Sequence, residues 1–156
     1  MTCKTLTVEY IKDFTSEAVP KMIGAGMGVL LPAVEKALDR AVGNPAYLLH
    51  NSESTGSLFN SISVSNSFIR DNGTRFFANV YFKGEDDRKN PIRQGEKAAY
   101  LNYGTGSRKT TNGEYRGSTH KTDFAPKAAA SSKKEVYTVM EAVLERELRE
   151  ENNNGK

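Results

Sequence analysis

The tripeptide Asp71-Asn72-Gly73 constrains the fold most strongly, because it stands between two runs of strand-forming residues. Asn and Gly accept the positive φ that the tight turns of β-hairpins require. Residues 62–69 before the turn and 75–82 after it are rich in β-branched and aromatic side chains, which favour strands. The pattern therefore predicts a β-hairpin over residues 62–82.

Two longer segments carry apolar residues at spacings of three and four, as amphipathic helices do. They run from about residue 18 to 42 and from about residue 126 to 148. Pro32 lies inside the first segment and removes one backbone N–H, so we expect a kinked helix or two helical pieces there. An alternating stretch at residues 6–10 predicts a further strand near the N-terminus.

These elements predict an α+β fold, in which a small antiparallel or mixed β-sheet with a β-hairpin packs against a kinked N-terminal helix and a C-terminal helix. A chain of 156 residues is long enough to bury a core of its own. We therefore expect one domain over residues 1–150, with a flexible loop at about 106–123 and a disordered tail at 151–156. The loop has almost no apolar residues, so we expect it to become ordered only against another molecule.

The composition excludes most chemistry based on metals, thiols or imidazoles. The chain has one cysteine, Cys3, and two histidines, His50 and His120. One cysteine cannot form an internal disulfide, and no zinc-binding motif exists. Both histidines stand in polar segments that would not hold the geometry of a nucleophile and its base. We expect no enzyme, no cofactor and no metal, and a hydrolase that depends on these histidines is the catalytic alternative.

No membrane association is expected from the sequence. The longest uncharged apolar run, residues 22–34, is shorter than the roughly 20 residues that cross a bilayer. The first residues lack the apolar core of a signal peptide. We therefore expect the chain to be made and used in a cytoplasm.

The net charge of +3 comes from the middle of the chain. Residues 83–127 contain ten Lys or Arg and six Asp or Glu, whereas the rest of the chain contains 12 and 13. Basic loops beside Tyr103 and Tyr115 can meet phosphate groups, so a nucleic-acid-binding module is one alternative. Ordinary solvated loops, or loops ordered against a partner subunit, are the other.

Three short motifs follow one another along the chain. They are TGSLFNSI at residues 55–62, AYLNYGTG at 99–106 and FAPKA at 124–128. In this order, between an Ala-rich helix and a C-terminal helix, they resemble the motifs of the tail-component family of long-tailed bacteriophages, the tail-completion or tail-terminator proteins at the head–tail junction. The resemblance spans roughly residues 18–148. Asn102 stands where the family has Glu, Tyr103 where it has Phe, and the third motif lacks the first proline of the family.

The resemblance implies a structural virion protein that forms a homo-oligomeric ring, a hexamer, at the tail end of the head–tail junction. Such a ring would end growth of the tail tube and join the tail to the head. Its partners would be its own copies, the tail tube protein and the head connector or stopper protein, with non-specific DNA contact in the lumen. The protein would lie in the host cytoplasm during assembly and in the neck of the virion afterwards. A head-closure (stopper) protein or another neck protein is the alternative.

We expect contacts between subunits, or with partners, in the hairpin 62–82 and in the segment 100–124. The candidate interface residues are Thr55, Gly56, Leu58, Ile62, Phe76, Tyr81, Tyr100, Tyr103, Gly104, Thr105, Gly106, Phe124 and Pro126. The candidates for polar docking, or for contact with DNA, are Arg108, Lys109, Arg116 and Lys121. The two glycines are expected to turn the chain sharply away from a buried patch formed by Tyr100 and Tyr103.

Overall fold

The computed structural model describes residues 18–43, 57–65, 68–70, 75–85 and 91–154. Helices and short antiparallel strands make it an α+β fold, which confirms the prediction of the fold class. The helices are α1 (Ala18–Val42), α2 (Ser57–Asn60), α3 (Gln94–Tyr103) and α4 (Phe124–Asn154). The strands are β1 (Ile62–Val64), β2 (Phe68–Arg70), β3 (Arg75–Phe77), β4 (Val80–Phe82), β5 (Arg108–Lys109) and β6 (Tyr115–Gly117). The strand predicted at residues 6–10 and the turn at 71–73 lie outside the described residues.

Helix α1 is continuous through Pro32. Of the two arrangements expected there, a kinked helix or two helical pieces, the structure has a single helix. A proline at position 32 leaves the carbonyl of residue 28 without its usual donor four residues on. Both Gly28 and Pro32 are exposed, so water can supply the missing hydrogen bond. The apolar stripe continues past the proline to Val34, Leu38 and Ala41, which are buried.

Within the described residues, α1 is long and apolar enough to cross a membrane, judged by length and composition alone. The sequence argument considered only the uncharged run 22–34, whereas the helix extends beyond Lys21 and Glu35. The apolar residues of its first half are buried in a cluster with Val136 and Met140 of α4. A helix buried in the core of a protein passes the same test of length and composition.

Strand pairing confirms the predicted hairpin. β2 and β3 are antiparallel, with Phe68 opposite Phe77 and Ile69 opposite Phe76. β1 pairs with β4 in a second two-stranded ladder. The bond from the N–H of Lys83 to the oxygen of Ser61, 2.8 Å, lies at the outer end of that ladder.

A side-chain hydroxyl replaces a backbone acceptor just beyond β1. The N–H of Ser65 donates to the oxygen of Asn79 at 2.8 Å. The N–H of Asn79 in turn donates to the hydroxyl Oγ of Ser65 at 2.7 Å. These two hydrogen bonds hold the two arms together between β1 and β4.

The chain divides into two compact units. The first consists of Met1–Pro32, Val64–Val80 and Ser131–Lys156, and the second of Ala33–Ser63 and Tyr81–Ala130. Helices α1 and α4 and strands β1 and β4 each contribute residues to both units. The single domain expected over residues 1–150 stays a prediction.

The core of the first unit is formed where α1 approaches α4. Val19, Met22, Ile23 and Met27 are buried with Val136 and Met140. Gly26 lies at the closest approach, since a Cβ there would meet Sδ of Met140 at 2.9 Å and Cγ1 of Val136 at 3.3 Å. Ala78 and Val80 from the hairpin pack against the same cluster. Burial of apolar side chains therefore joins the hairpin to both helices in this unit.

An ion pair links the same two helices within the first unit. Nζ of Lys21 lies 2.5 Å from Oε2 of Glu147, and NH2 of Arg146 lies 3.2 Å from Oε1. The hydrogen bond from Lys21 and the charge of Arg146 hold the pKa of Glu147 below its ordinary value of 4.5, although burial of the carboxylate opposes them. The ionised form is thus favoured by folding.

The stability of the first unit should therefore depend on pH through Glu147. A lowered folded pKa stabilises the protein above the ordinary value of 4.5, and this contribution is lost as the pH falls through the lowered pKa. Glu147→Gln should lower the midpoint of thermal unfolding at about pH 7, and the difference from wild type should shrink as the pH falls below 4.5. Glu145→Gln is the matched control, because Glu145 forms only an exposed pair with Arg149 at 3.5 Å. An equal, pH-independent loss in both variants would contradict the role given to Glu147.

Candidate interaction surface

Helix α3 places the two tyrosines of the second motif on its exposed side. Its buried residues are Gln94, Ala98, Leu101 and Asn102, which share one face at helical spacing. Tyr100 and Tyr103 fall on the opposite face and are 39% and 55% exposed. The expectation that they form a buried patch is wrong, because the segment is a helix whose inner face is occupied by Ala98 and Leu101 together with the amides Gln94 and Asn102.

Gly104 ends α3 in a backbone conformation that favours glycine. Its φ is +75°, which residues with a Cβ rarely adopt. A Cβ at this position would also lie 2.8 Å from the oxygen of Thr119 and 3.0 Å from the nitrogen of Lys121. The expected sharp turn after Tyr103 is confirmed at Gly104. Gly106 has open space around it and is exposed.

Asn102 connects the second motif to the third. Its side-chain oxygen accepts the N–H of Ala125 at 3.0 Å, one of the first donors of α4 that have no partner inside the helix. Its backbone oxygen accepts the N–H of Asp123 at 3.0 Å. Thr122 donates its hydroxyl to the oxygen of Leu101 at 2.8 Å. Asn102 thus caps α4 from another element, and these bonds fix the end of α3 to the start of α4.

Phe124, the first residue of α4, lies inside the second unit. Its side chain is 3% exposed. Its ring meets that of Phe82 edge-on, with centroids 6.1 Å apart and planes at 85°, a favourable geometry for an aromatic pair. Phe124 was expected to contact a partner, but its buried ring offers no surface to one.

The segment expected to be a loop contains the β5–β6 hairpin. Arg108 pairs with Gly117 and Lys109 with Tyr115 in antiparallel register. Thr110 closes the turn, since its N–H donates to the oxygen of Glu114 at 2.8 Å and its oxygen accepts the N–H of Gly113 at 2.9 Å. Hydrogen bonds within the segment supply the order that apolar packing does not. Its flexibility stays a prediction.

The remaining candidate residues are placed as follows. Leu58, Ile62 and Thr105 are half-buried, while Tyr81, Pro126, Arg108, Lys109 and Lys121 are exposed. Lys121 pairs with Asp123 at 3.1 Å. The side chains of Phe76 and Arg116 are outside the described part of the structure, as are Thr55 and Gly56.

The sequence analysis did not select two residues that the structure places at or beside the candidate surface. Phe59 is exposed on α2, which lies against α3 in the second unit. Nothing in the residues next to Phe59 in the sequence indicates that its ring is exposed. Asn102 was noted only as a departure from the family motif, because its contact with Ala125 spans 23 residues of sequence.

No catalytic centre emerges from the described residues. No group of three or more His, Cys, Asp or Glu among them could hold a metal ion. One open recess of about 620 Å³ is lined by Phe82, Gly84, Glu85, Arg93, Gly95 and Glu96. Its Glu85–Arg93 pair, 3.8 Å apart, is solvent-exposed. A recess with this lining holds neither a thiol nor an imidazole for covalent catalysis.

Comparison with known proteins gives no match: no family model, no curated protein and no solved structure resembles this chain.

Proposed function

We propose that this chain is a structural assembly protein of a long-tailed bacteriophage. Copies of it would close into a ring at the tail end of the head–tail junction, end growth of the tail tube and join the tail to the head. Head-to-tail contacts between identical subunits produce a closed ring when the rotation between neighbours closes.

The exposed tyrosines of α3 are the observation that carries the proposal. Tyr100 and Tyr103 lie one turn apart on the outer face of the helix. Large aromatic side chains are enriched at protein interfaces, where they bury much area at a low cost in side-chain entropy. We name these two residues the α3 tyrosine pair and assign it to the contact between subunits.

The attachment of α3 supports the same role. Two residues of the second motif attach α3 to its surroundings: Asn102 accepts a hydrogen bond from the start of α4, and Gly104 lies against the base of the β5–β6 hairpin. A side chain on a fixed helix loses less conformational freedom on binding than one on a mobile loop. Asn102 and Gly104 thus stabilise the surface, and the rings of Tyr100 and Tyr103 on its exposed side can contact a neighbour.

A phage that lacks this gene provides the test. Supplying the wild-type chain should restore joined heads and tails of normal length, counted by electron microscopy. Tyr100→Ser/Tyr103→Ser should reduce joined particles by about tenfold or more, since central aromatic residues contribute most of the binding energy of an interface. Tyr137→Ser is the control and should assemble like the wild type, because Tyr137 lies on α4 and belongs to neither the α3 tyrosine pair nor the hairpin.

The possible results separate the function from the surface. Normal virions without the gene would overturn the assembly function. Full rescue by the double variant would be compatible with the assembly function but would show that the α3 tyrosine pair is not part of the interface. The unfolding midpoint of each purified variant serves as the folding control. A density map of the particle then distinguishes a ring on the tail side from a stopper on the head side.

A further inference from the structure

Residues 104–121, which contain the β5–β6 hairpin, carry a net positive charge. They contain four basic residues (Arg108, Lys109, Arg116 and Lys121) and one acidic residue, Glu114, which gives +3. Lys121 pairs with Asp123 just outside this range, and residues 108–117 of the hairpin carry +2. The hairpin is therefore a locally cationic element.

The hairpin is held in shape without a partner. At its base the N–H of Thr105 donates to the oxygen of Thr119 at 2.9 Å. In return the N–H of Thr119 donates to the hydroxyl Oγ1 of Thr105 at 2.9 Å. At its tip the N–H of Glu114 donates to the hydroxyl of Thr110 at 3.0 Å. The basic side chains thus project from a preformed element, which lowers the entropic cost of binding.

The exposed side chains of the hairpin can reach a ligand. Arg108 and Lys109 are both exposed, and the strand position opposite Arg108 is Gly117, which has no side chain to cover it. Tyr115, opposite Lys109, is 67% exposed, more than the other exposed large hydrophobic residues of the described chain. Lys109 and Tyr115 lie opposite each other, and Arg108 is the next residue along β5, at a shift in the register of the two strands. Two exposed cations and one exposed aromatic ring therefore belong to the same short element.

The composition indicates which kind of polyanion fits. Apart from Tyr115, residues 104–121 include no large apolar side chain, so an interface centred on them would be polar and cationic. They are rich instead in Thr, Ser, Asn, Gly, Lys and Arg. Hydroxyls, amides, backbone N–H groups and cationic side chains are the usual partners of phosphate oxygens in nucleic acids.

We propose that the β5–β6 hairpin binds the phosphate backbone of a nucleic acid through Arg108 and Lys109, with Tyr115 beside them. Binding of this kind reads no sequence and depends strongly on salt. The inference goes beyond the assembly function and does not require it, because it rests on the charge and exposure of the hairpin alone.

Fluorescence anisotropy of the full chain with labelled DNA tests the proposal. The probes are a random-sequence duplex, a single strand and poly-L-glutamate of similar charge, each from about 50 to about 200 mM salt. The wild-type chain should bind DNA with an affinity that falls as salt rises. Arg108→Gln/Lys109→Gln should weaken binding about tenfold at low salt and reduce the salt slope by about two, one for each cation removed.

The control variant is Lys36→Gln/Lys134→Gln, which removes two exposed lysines from α1 and α4. It makes the same change in net charge and should bind DNA like the wild type. If both double variants weakened binding equally, the effect would come from net charge alone and the proposal would be overturned. Absence of DNA binding at the lowest salt concentration would overturn it as well. Equally tight, equally hairpin-dependent binding to poly-L-glutamate would point to an acidic protein instead.

Tyr115→Ala should weaken binding to single-stranded DNA more than binding to the duplex, because bases stack on tyrosine only when they are unpaired. Equal weakening of both would show that Tyr115 is not part of the site.

Discussion

Gly104→Ala should destabilise the second unit by about 3 kcal/mol or more. Part of this cost is the backbone at φ +75° and ψ 173°, a region essentially restricted to glycine, which costs a residue with a Cβ about 1–3 kcal/mol. The remainder arises because the new Cβ would lie 2.8 Å from the oxygen of Thr119 and 3.0 Å from the nitrogen of Lys121. Both are backbone atoms held in the hairpin base, so neither can move cheaply. Urea unfolding followed by circular dichroism measures the loss.

Gly117→Ala is the matched control for this prediction. Its φ of +77° is nearly the same, but no atom lies within 4 Å of its added Cβ. It should therefore cost only the backbone contribution, about 1 kcal/mol. Equal losses in the two variants would show that crowding by Thr119 and Lys121 is not what makes glycine necessary at position 104.

Phe124→Ala should destabilise the second unit by about 3–5 kcal/mol, as expected for truncation of a buried aromatic ring. The ring is 3% exposed, and its edge-on partner Phe82 would lose its contact as well. Urea unfolding followed by tyrosine fluorescence, which the absence of Trp makes practical, measures the free energy of unfolding.

Phe59→Ala serves as the control, since it removes a ring of the same size from an exposed position. It should change the free energy of unfolding by less than about 1 kcal/mol. A double-mutant cycle with Phe82→Ala isolates the ring pair, for which a coupling of about 0.5–1.5 kcal/mol is expected. A small loss for Phe124→Ala, equal to that for Phe59→Ala, would contradict the buried position of Phe124.

The helices and the first hairpin were predictable because their signals are local. The stripe from Val19 to Ala41 repeats at helical spacing whatever it packs against. The two apolar arms around Asn72-Gly73 likewise fix which strands pair. The hydrogen bond from the N–H of Asn79 to the hydroxyl of Ser65 was not predictable, because a side-chain hydroxyl there replaces a backbone acceptor.

The second hairpin was missed although a signal was present. Asn112-Gly113 repeats the dipeptide that marks the first turn, and Gly113 has a φ of +84°. The residues on either side of this turn are polar, and the sequence analysis looked for strands by their apolar residues, so it did not predict this hairpin. A hairpin held by hydrogen bonds of Thr105, Thr110 and Thr119 has no hydrophobic pattern to detect.

The candidate surface could be predicted only in part, since its residues are brought together by distant contacts. Tyr100 and Tyr103 were selected correctly as residues to watch, but a short apolar segment does not reveal whether it is strand or helix. That choice decides which side chains are buried. The cap that Asn102 provides and the crowding around Gly104 depend on residues 15 to 23 positions later in the chain.

The packing of α1 on α4 has a chemical consequence. Three of the four methionines, Met22, Met27 and Met140, lie in the core cluster of the first unit, each less than a tenth exposed. Oxidation turns a thioether into a polar sulfoxide that such a cluster cannot accommodate. Oxidants therefore reach these sulfur atoms only when the helices separate, and the pace at which sulfoxide accumulates records how often that opening occurs.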